Sequence, residues 1–303
     1  MNIITPETGQ AGSHIEAEMS QVGRPPGRPV TITATPGWHG KIKMARADIA
    51  LALRLWPLVW TLSLLDIRLR YRGSLLGPFW LTLSTAVMVG SIGFLYSHLF
   101  HQNVAAYLPF LSISLVLWAF ISTVTAEGCM CYTASEGMIR AMRMPLSLHA
   151  IRVVLRNILV LAHNIVVIVV VFVIFRVVPS AAVISLPPAL ALWAVDAFAV
   201  SLMLGIFGAR FRDIPPIIGS IMQIAFYLTP VMWNPVMLMH RGVSAVLVKW
   251  NPFYALLEIV RGPLLGGPLE PQVWALALGY SAVLIAISGV VFLRARARIA
   301  YWV

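Results

Sequence analysis

Charged residues are spaced so widely along this chain that the gaps between them are its clearest structural signal. No Asp, Glu, Lys or Arg occurs between Arg72 and Glu127, and only the polar patch His98, His101, Gln102 and Asn103 interrupts that stretch. Further uncharged runs separate Arg156 from Arg176, Asp213 from Arg241, and Glu270 from Arg294, and residues 183–207 are apolar apart from Asp196. A helix needs about 20 apolar residues to cross a hydrocarbon core of roughly 30 Å. The first gap has room for two such helices, so the pattern predicts an all-α integral membrane protein of about six transmembrane helices.

The segments between the gaps read differently. Over residues 48–72, Leu51, Leu55, Leu58, Val59, Leu62, Leu65 and Leu69 recur at three- and four-residue spacing, with Arg54, Asp66, Arg68 and Arg70 interleaved. That spacing predicts an N-terminal amphipathic helix lying along the membrane surface. Gly77 and Pro78 then mark the corner into the first span. Residues 1–47 are polar and rich in Pro, Gly and Thr, without the basic-then-apolar order of a signal peptide, and read as a disordered cytosolic tail.

Between spans two and three, Glu127 to Arg156 is too polar to cross. Its helix-compatible stretch Ala134 to Met144 stops near Pro145 and, flanked by Arg140 and Arg143, is available to a cytosolic partner. Asp213 followed by Pro215 and Pro216 suits an N-cap and first turn of span five, which Pro230 can kink.

Residues 233–267 are too short for a folded domain and too apolar for a simple loop. Asn234-Pro235 and Asn251-Pro252 each resemble a helix start. The pieces 235–248 and 252–262 would reach only about 21 Å and 16 Å. Two short re-entrant helices before the last span, sheltered by protein, satisfy that constraint. The permease domain so defined covers residues 48–303.

Composition narrows the function. The 303 residues are 59% hydrophobic and 11% charged, and the formal charge of +11 points toward nucleic acid until its placement is considered. Under the six-span reading, 18 of the 22 Lys and Arg residues fall on one side. That asymmetry is the positive-inside pattern of a multi-pass chain with both ends in the cytoplasm, so the charge reports orientation, not a nucleic-acid partner. Cys129 and Cys131 make no disulfide framework and no zinc site. A phosphate-binding glycine loop is absent, so any ATP and Mg would be bound by a separate subunit. Neither hydrolase or metalloprotease motifs nor intramembrane charge clusters occur, which disfavours a catalytic residue set or ion coupling.

Asp196 is the one acid deep in an apolar run, where a charge costs about 2.5 to 3.5 kcal/mol. It contacts either a substrate or second subunit, or a neighbouring helix. Glu258 and Arg261, three apart, form a local ion pair or part of an exit lining. Trp56, Trp60, Trp233, Trp250 and Trp302 fit interfacial belts, whereas Trp80, Tyr96, Phe110 and Trp118 lie in or beside the first two spans as channel-lining candidates.

The run Asp66-Ile67-Arg68-Leu69-Arg70-Tyr71-Arg72-Gly73-Ser74-Leu75-Leu76-Gly77-Pro78-Phe79-Trp80 closely resembles the segment leading into the first span of ABC-type permeases that export O-antigen, capsular polysaccharide and teichoic acid. Three further stretches fall in that family's order: Met138-Ile139-Arg140 to Pro145; Ala209-Arg210-Phe211-Arg212-Asp213-Ile214; and Thr229-Pro230 followed by Asn251-Pro252-Phe253 to Glu258 and Arg261. The resemblance covers roughly residues 50–303.

It implies a homodimer in the bacterial inner membrane, joined to two nucleotide-binding ATPase subunits and passing a lipid-linked glycan through a channel between protomers. The region 128–146 would hold the coupling helix, with Ser135, Glu136, Met138, Ile139, Arg140, Arg143 and Pro145 at the ATPase. Asp66, Arg68, Arg70, Tyr71, Arg72, Gly77 and Pro78 would form the interfacial gate, and Asn251, Pro252, Glu258 and Arg261 the outer mouth. Where family members often carry an aromatic-Pro-Arg, this chain has Met144-Pro145-Leu146. A drug or small-lipid permease of the same fold, and a membrane glycan- or acyl-transferring enzyme, are the competing readings.

Overall fold

The computed structural model describes residues 37–74, 76–77, 79–99, 103–235, 246 and 248–303, and among them helices are the only regular element. In chain order these are α1 (Trp38–Arg54), α2 (Trp56–Arg70), α3 (Phe79–Leu99), α4 (Val104–Cys129), α5 (Glu136–Ala141), α6 (Leu146–Phe175), α7 (Leu186–Arg210), α8 (Ile214–Leu228), α9 (Pro252–Leu264), α10 (Pro271–Ala295) and α11 (Ile299–Trp302). Pro78, most of the first re-entrant piece 235–248 and most of the N-terminal tail lie outside the described residues.

Among the described residues, five helices are long and apolar enough to cross a membrane: α3, α4, α6, α7 with its preceding turn Ala181–Ser185, and α10 with α11; the bent pair α1 and α2 is a sixth candidate if it counts as one span. The chain is a multi-pass membrane protein. The expected fifth span differs. α8 has 15 residues, about 22 Å at about 1.5 Å per residue and short of a roughly 30 Å core. It stops at Leu228 because Thr229 precedes a proline and is held extended, at φ −89° and ψ 138°. Pro230 therefore ends this helix; it does not kink a longer one. Asp213 occupies the N-cap position of α8 but its side chain makes no capping bond.

The surface helix expected over 48–72 is also revised, because helix already begins at Trp38 and breaks by 67° between α1 and α2. The break falls at Leu55, just before Trp56-Pro57, where proline supplies no N–H and is accommodated in a new first turn.

α4 forms the core. It packs against α3, α6, α7, α8 and α9, and its side chains are buried around almost the whole circumference from Tyr107 to Cys129, as an all-apolar helix requires. α7 crosses α4 closely: a Cβ on Gly208 would overlap the Cys129 carbonyl, and one on Gly128 would lie 2.9 Å from Ser201 Oγ. Small residues allow two backbones this approach in lipid, where packing rather than water exclusion holds helices together. α1 and α2 lie on α6 through a smaller cluster of Ala52, Val59, Leu148 and Leu155.

Candidate functional site

At the charged end of the bundle, Asp66 and Arg70 sit one turn apart on α2, Arg152 and Arg156 one turn apart on α6, and Glu127 in the last turn of α4. Helical i, i+4 spacing turns both pairs toward one another. Arg152 clasps Asp66 with two nitrogens, Nε at 2.8 Å and Nη2 on the second oxygen. Arg156 bridges Asp66 at 3.0 Å and Glu127 at 2.7 Å, while Arg70 reaches Glu127 at 2.6 Å and Asn157 donates to it at 2.7 Å. Three helices are thus tied by alternating charges around a polar cavity of about 280 Å³, whose wall also includes Ser135 and His149.

The connector beyond Glu127 is shorter than its polarity suggested. α6 starts at Leu146, so Arg152 and Arg156 belong to that helix and not to a loop. Between the two helices, α5 buries none of its residues fully. Glu136 and Arg140 pair along it at 2.8 Å, and Arg140 also donates to the main-chain oxygen of Val303 at 2.6 Å. Met138 and Ile139 are half-buried and Arg143 is exposed; the helix stops at Ala141, three residues before the expected limit. Pro145 is buried at the N-cap position of α6, where its side chain makes no capping bond. Beside this connector, burial pushes the Cys131 thiol up, leaving it protonated and poorly nucleophilic.

At the opposite end, Asn251 caps α9, accepting from the Phe253 and Tyr254 backbone at 2.9 and 3.3 Å, and its Nδ2 donates to Thr229 Oγ1 at 3.0 Å. Two loops that the sequence separates by 22 positions therefore meet through their Thr-Pro and Asn-Pro pairs. Arg261 is 1% exposed. Its guanidinium pairs with Glu258 at 2.5 Å, donates to Ser114 Oγ at 2.9 Å and to the Pro230 carbonyl at 2.7 Å, and lies 4.5 Å from the centre of the Phe110 ring. A buried arginine so fully satisfied fastens α9 to α4 and to the end of α8.

Residues 57–265 match the family described as ABC-2 type transporter. The chain belongs to the ABC-2 type transporter family. It is also 21% identical over 192 residues to the O-antigen export system permease protein RfbA of Myxococcus xanthus, covering 63% of this chain and 74% of that protein. The protein of the same name from Klebsiella pneumoniae is 21% identical over 236 residues, 78% of this chain and 90% of its own.

The remaining candidates divide by burial in this ABC-2 protein. Asp196 accepts from Ser281 Oγ at 2.6 Å, linking α7 to α10, while its other oxygen meets no partner among the described residues. Trp118 is wedged between Phe226 and Phe253, and Phe110 lies beneath Arg261, so both belong to the interior of the helix bundle. Trp80 is exposed on α3 and Tyr96 is half-buried. Arg68 and Arg72 are exposed, Tyr71 half-buried with its hydroxyl pKa raised by burial, and Gly77 takes φ +54° at the corner, where a Cβ would be strained.

Sequence reasoning missed Asp48. Its carboxylate accepts from the Leu146 and Ser147 backbone at 3.2 and 2.9 Å, capping α6 from another helix. A cap normally sits next to the helix it caps, so no local signal marks this one. The i, i+4 spacing of Arg152 and Arg156 was a visible sign of a helix face that counting loop charges concealed.

Proposed function

We propose that this chain is the transmembrane subunit of an ATP-driven exporter that moves a lipid-linked polysaccharide of O-antigen or capsule type across the bacterial inner membrane. It works as a homodimer with two copies of a nucleotide-binding subunit, which carry ATP and Mg. The reading of the substrate is supported by the names of the two relatives. The coupling role rests on one observation: α5 buries none of its residues fully, yet leads directly into the helices joined by the Asp66, Glu127, Arg152 and Arg156 network. A partner that pushes on α5 moves a braced frame, not a loose loop.

Two little-buried apolar helices suit a second copy. α3 exposes Phe79, Trp80, Leu83 and Val87, and α8 exposes Ile217, Ile221, Ile224 and Tyr227. Apolar faces of this kind on the described residues meet lipid or a like surface, and a glycan channel between protomers needs both to line it. The excess of Lys and Arg on one side supports a cytoplasmic location for both termini.

ATP-dependent glycan export is measured in inverted vesicles containing this chain and its ATPase, with Glu136→Ala and Ile139→Ala introduced together. Export is expected to fall while the assembled protein remains. Undiminished export would remove α5 from the coupling path; export without ATPase would overturn the exporter reading itself.

A further inference from the structure

We infer that the groove between α6, α7 and α9 holds one anionic phospholipid of the leaflet at the C-terminal end of α6, with its phosphate on Arg176. The groove encloses about 580 Å³ and is almost wholly apolar. Leu161, Ile165, Ile168 and Phe172 line it at three- and four-residue spacing along α6, with Val173 beside them, and Val260 and Leu264 of α9 form the facing wall. From Leu161 to Arg176 the stripe runs about 22 Å at about 1.5 Å per residue, against roughly 15 Å for half of a hydrocarbon core. It therefore begins near mid-bilayer and opens at the headgroup level.

Arg176 stands at that opening. It ends α6 in the left-handed conformation at φ +54°, the one non-glycine residue with positive φ among those described. Its N–H caps the Phe172 carbonyl, a task glycine performs without strain. A long cation kept at such a site is explained by its side chain rather than its backbone. Among the described residues, Arg176 meets no acidic partner, so its charge is uncompensated where lipid phosphates lie. The adjoining face of α6 also exposes Val166, Val170 and Ile174, an apolar surface of the kind acyl chains cover.

Charge chooses among lipids. A zwitterionic headgroup brings its own cation to the phosphate, whereas phosphatidylglycerol leaves one negative charge for Arg176. Length argues against a polyprenyl carrier, whose tail would overrun a stripe of about 22 Å. An acyl chain seated there supports Val260 from behind, next to Arg261, and so braces α9. This inference is independent of the exported substrate.

The protein is placed in phosphatidylcholine nanodiscs doped with phosphatidylglycerol bearing a diazirine acyl chain, irradiated, and its adducts mapped by peptide mass spectrometry. Adducts are expected between residues 161 and 190, displaced by unlabelled phosphatidylglycerol but not by phosphatidylethanolamine. Arg176→Gln should cut their yield about five-fold, and Arg212→Gln should not. Val173→Trp, which fills the groove without touching the charge, should abolish them and serves if Arg176→Gln fails to fold. Equal labelling of these peptides by diazirine phosphatidylcholine, or yields unchanged in both groove variants, would overturn the site. Undecaprenyl phosphate displacing the probe ahead of phosphatidylglycerol would reassign it to a carrier and refute the phospholipid.

Discussion

Asp48 and Arg296 stand 248 positions apart, yet their side chains pair at 2.9 Å. The same carboxylate caps α6, so one buried acid joins the first helix, the start of the longest helix and the end of the last span. Asp48→Ala is expected to cost about 3 kcal/mol, combining a lost cap with a broken, partly buried ion pair. Asp48→Asn, which can still accept from the backbone, should cost about 1 kcal/mol. Thermal unfolding in detergent, followed by intrinsic fluorescence, separates the two.

The network around Glu127 should behave as a unit. Glu127→Gln and Arg156→Gln, alone and combined, are expected to show a coupling of about 1 to 3 kcal/mol in stability, since contacting charges in one network are not additive. Simple addition of the two losses would mean that the pair at 2.7 Å contributes nothing.

Arg261 has contacts that lysine cannot reproduce. Its fork serves Glu258, Ser114 and Pro230 together, whereas an ammonium is a single point of donors. Arg261→Lys should therefore destabilise the protein by about 2 kcal/mol, and Arg261→Met, which strands Glu258, by about 3. Protease protection of the segment from 252 to 264 reports whether α9 loosens first.

Asp196 tests the two readings of a lone intramembrane acid. If it serves mainly to bond α10, Asp196→Asn keeps the Ser281 contact and leaves transport near wild type, while Ser281→Ala costs about 0.6 kcal/mol, the usual size of such a bond in a membrane. A transport loss in Asp196→Asn with unchanged stability would assign the carboxylate to substrate.

Gly208 leaves no room for a side chain against Cys129. Gly208→Leu should separate α4 from α7 and abolish the folded, detergent-stable protein, whereas Gly219→Ala, with open space around it, should change stability by less than about 1 kcal/mol. Size-exclusion profiles of the two variants give the answer.

The sequence by itself determined what depends on solvent and on near neighbours. Lipid admits only long apolar helices, so the gaps between charged residues located α3, α4, α6, α7 and α10. Local backbone chemistry also told true at Asn251, whose side chain caps the helix that Pro252 begins. Other outcomes belonged to the tertiary structure alone. The helix length of α8, which ends at Leu228 although apolar residues continue to Met232, became plain only in the structure. Asp48 on Ser147, Arg261 on Ser114 and Asp196 on Ser281 join residues 85 to 147 positions apart. A buried polar group must find a partner, but nothing local names it; packing the helices is what brings the partner within reach.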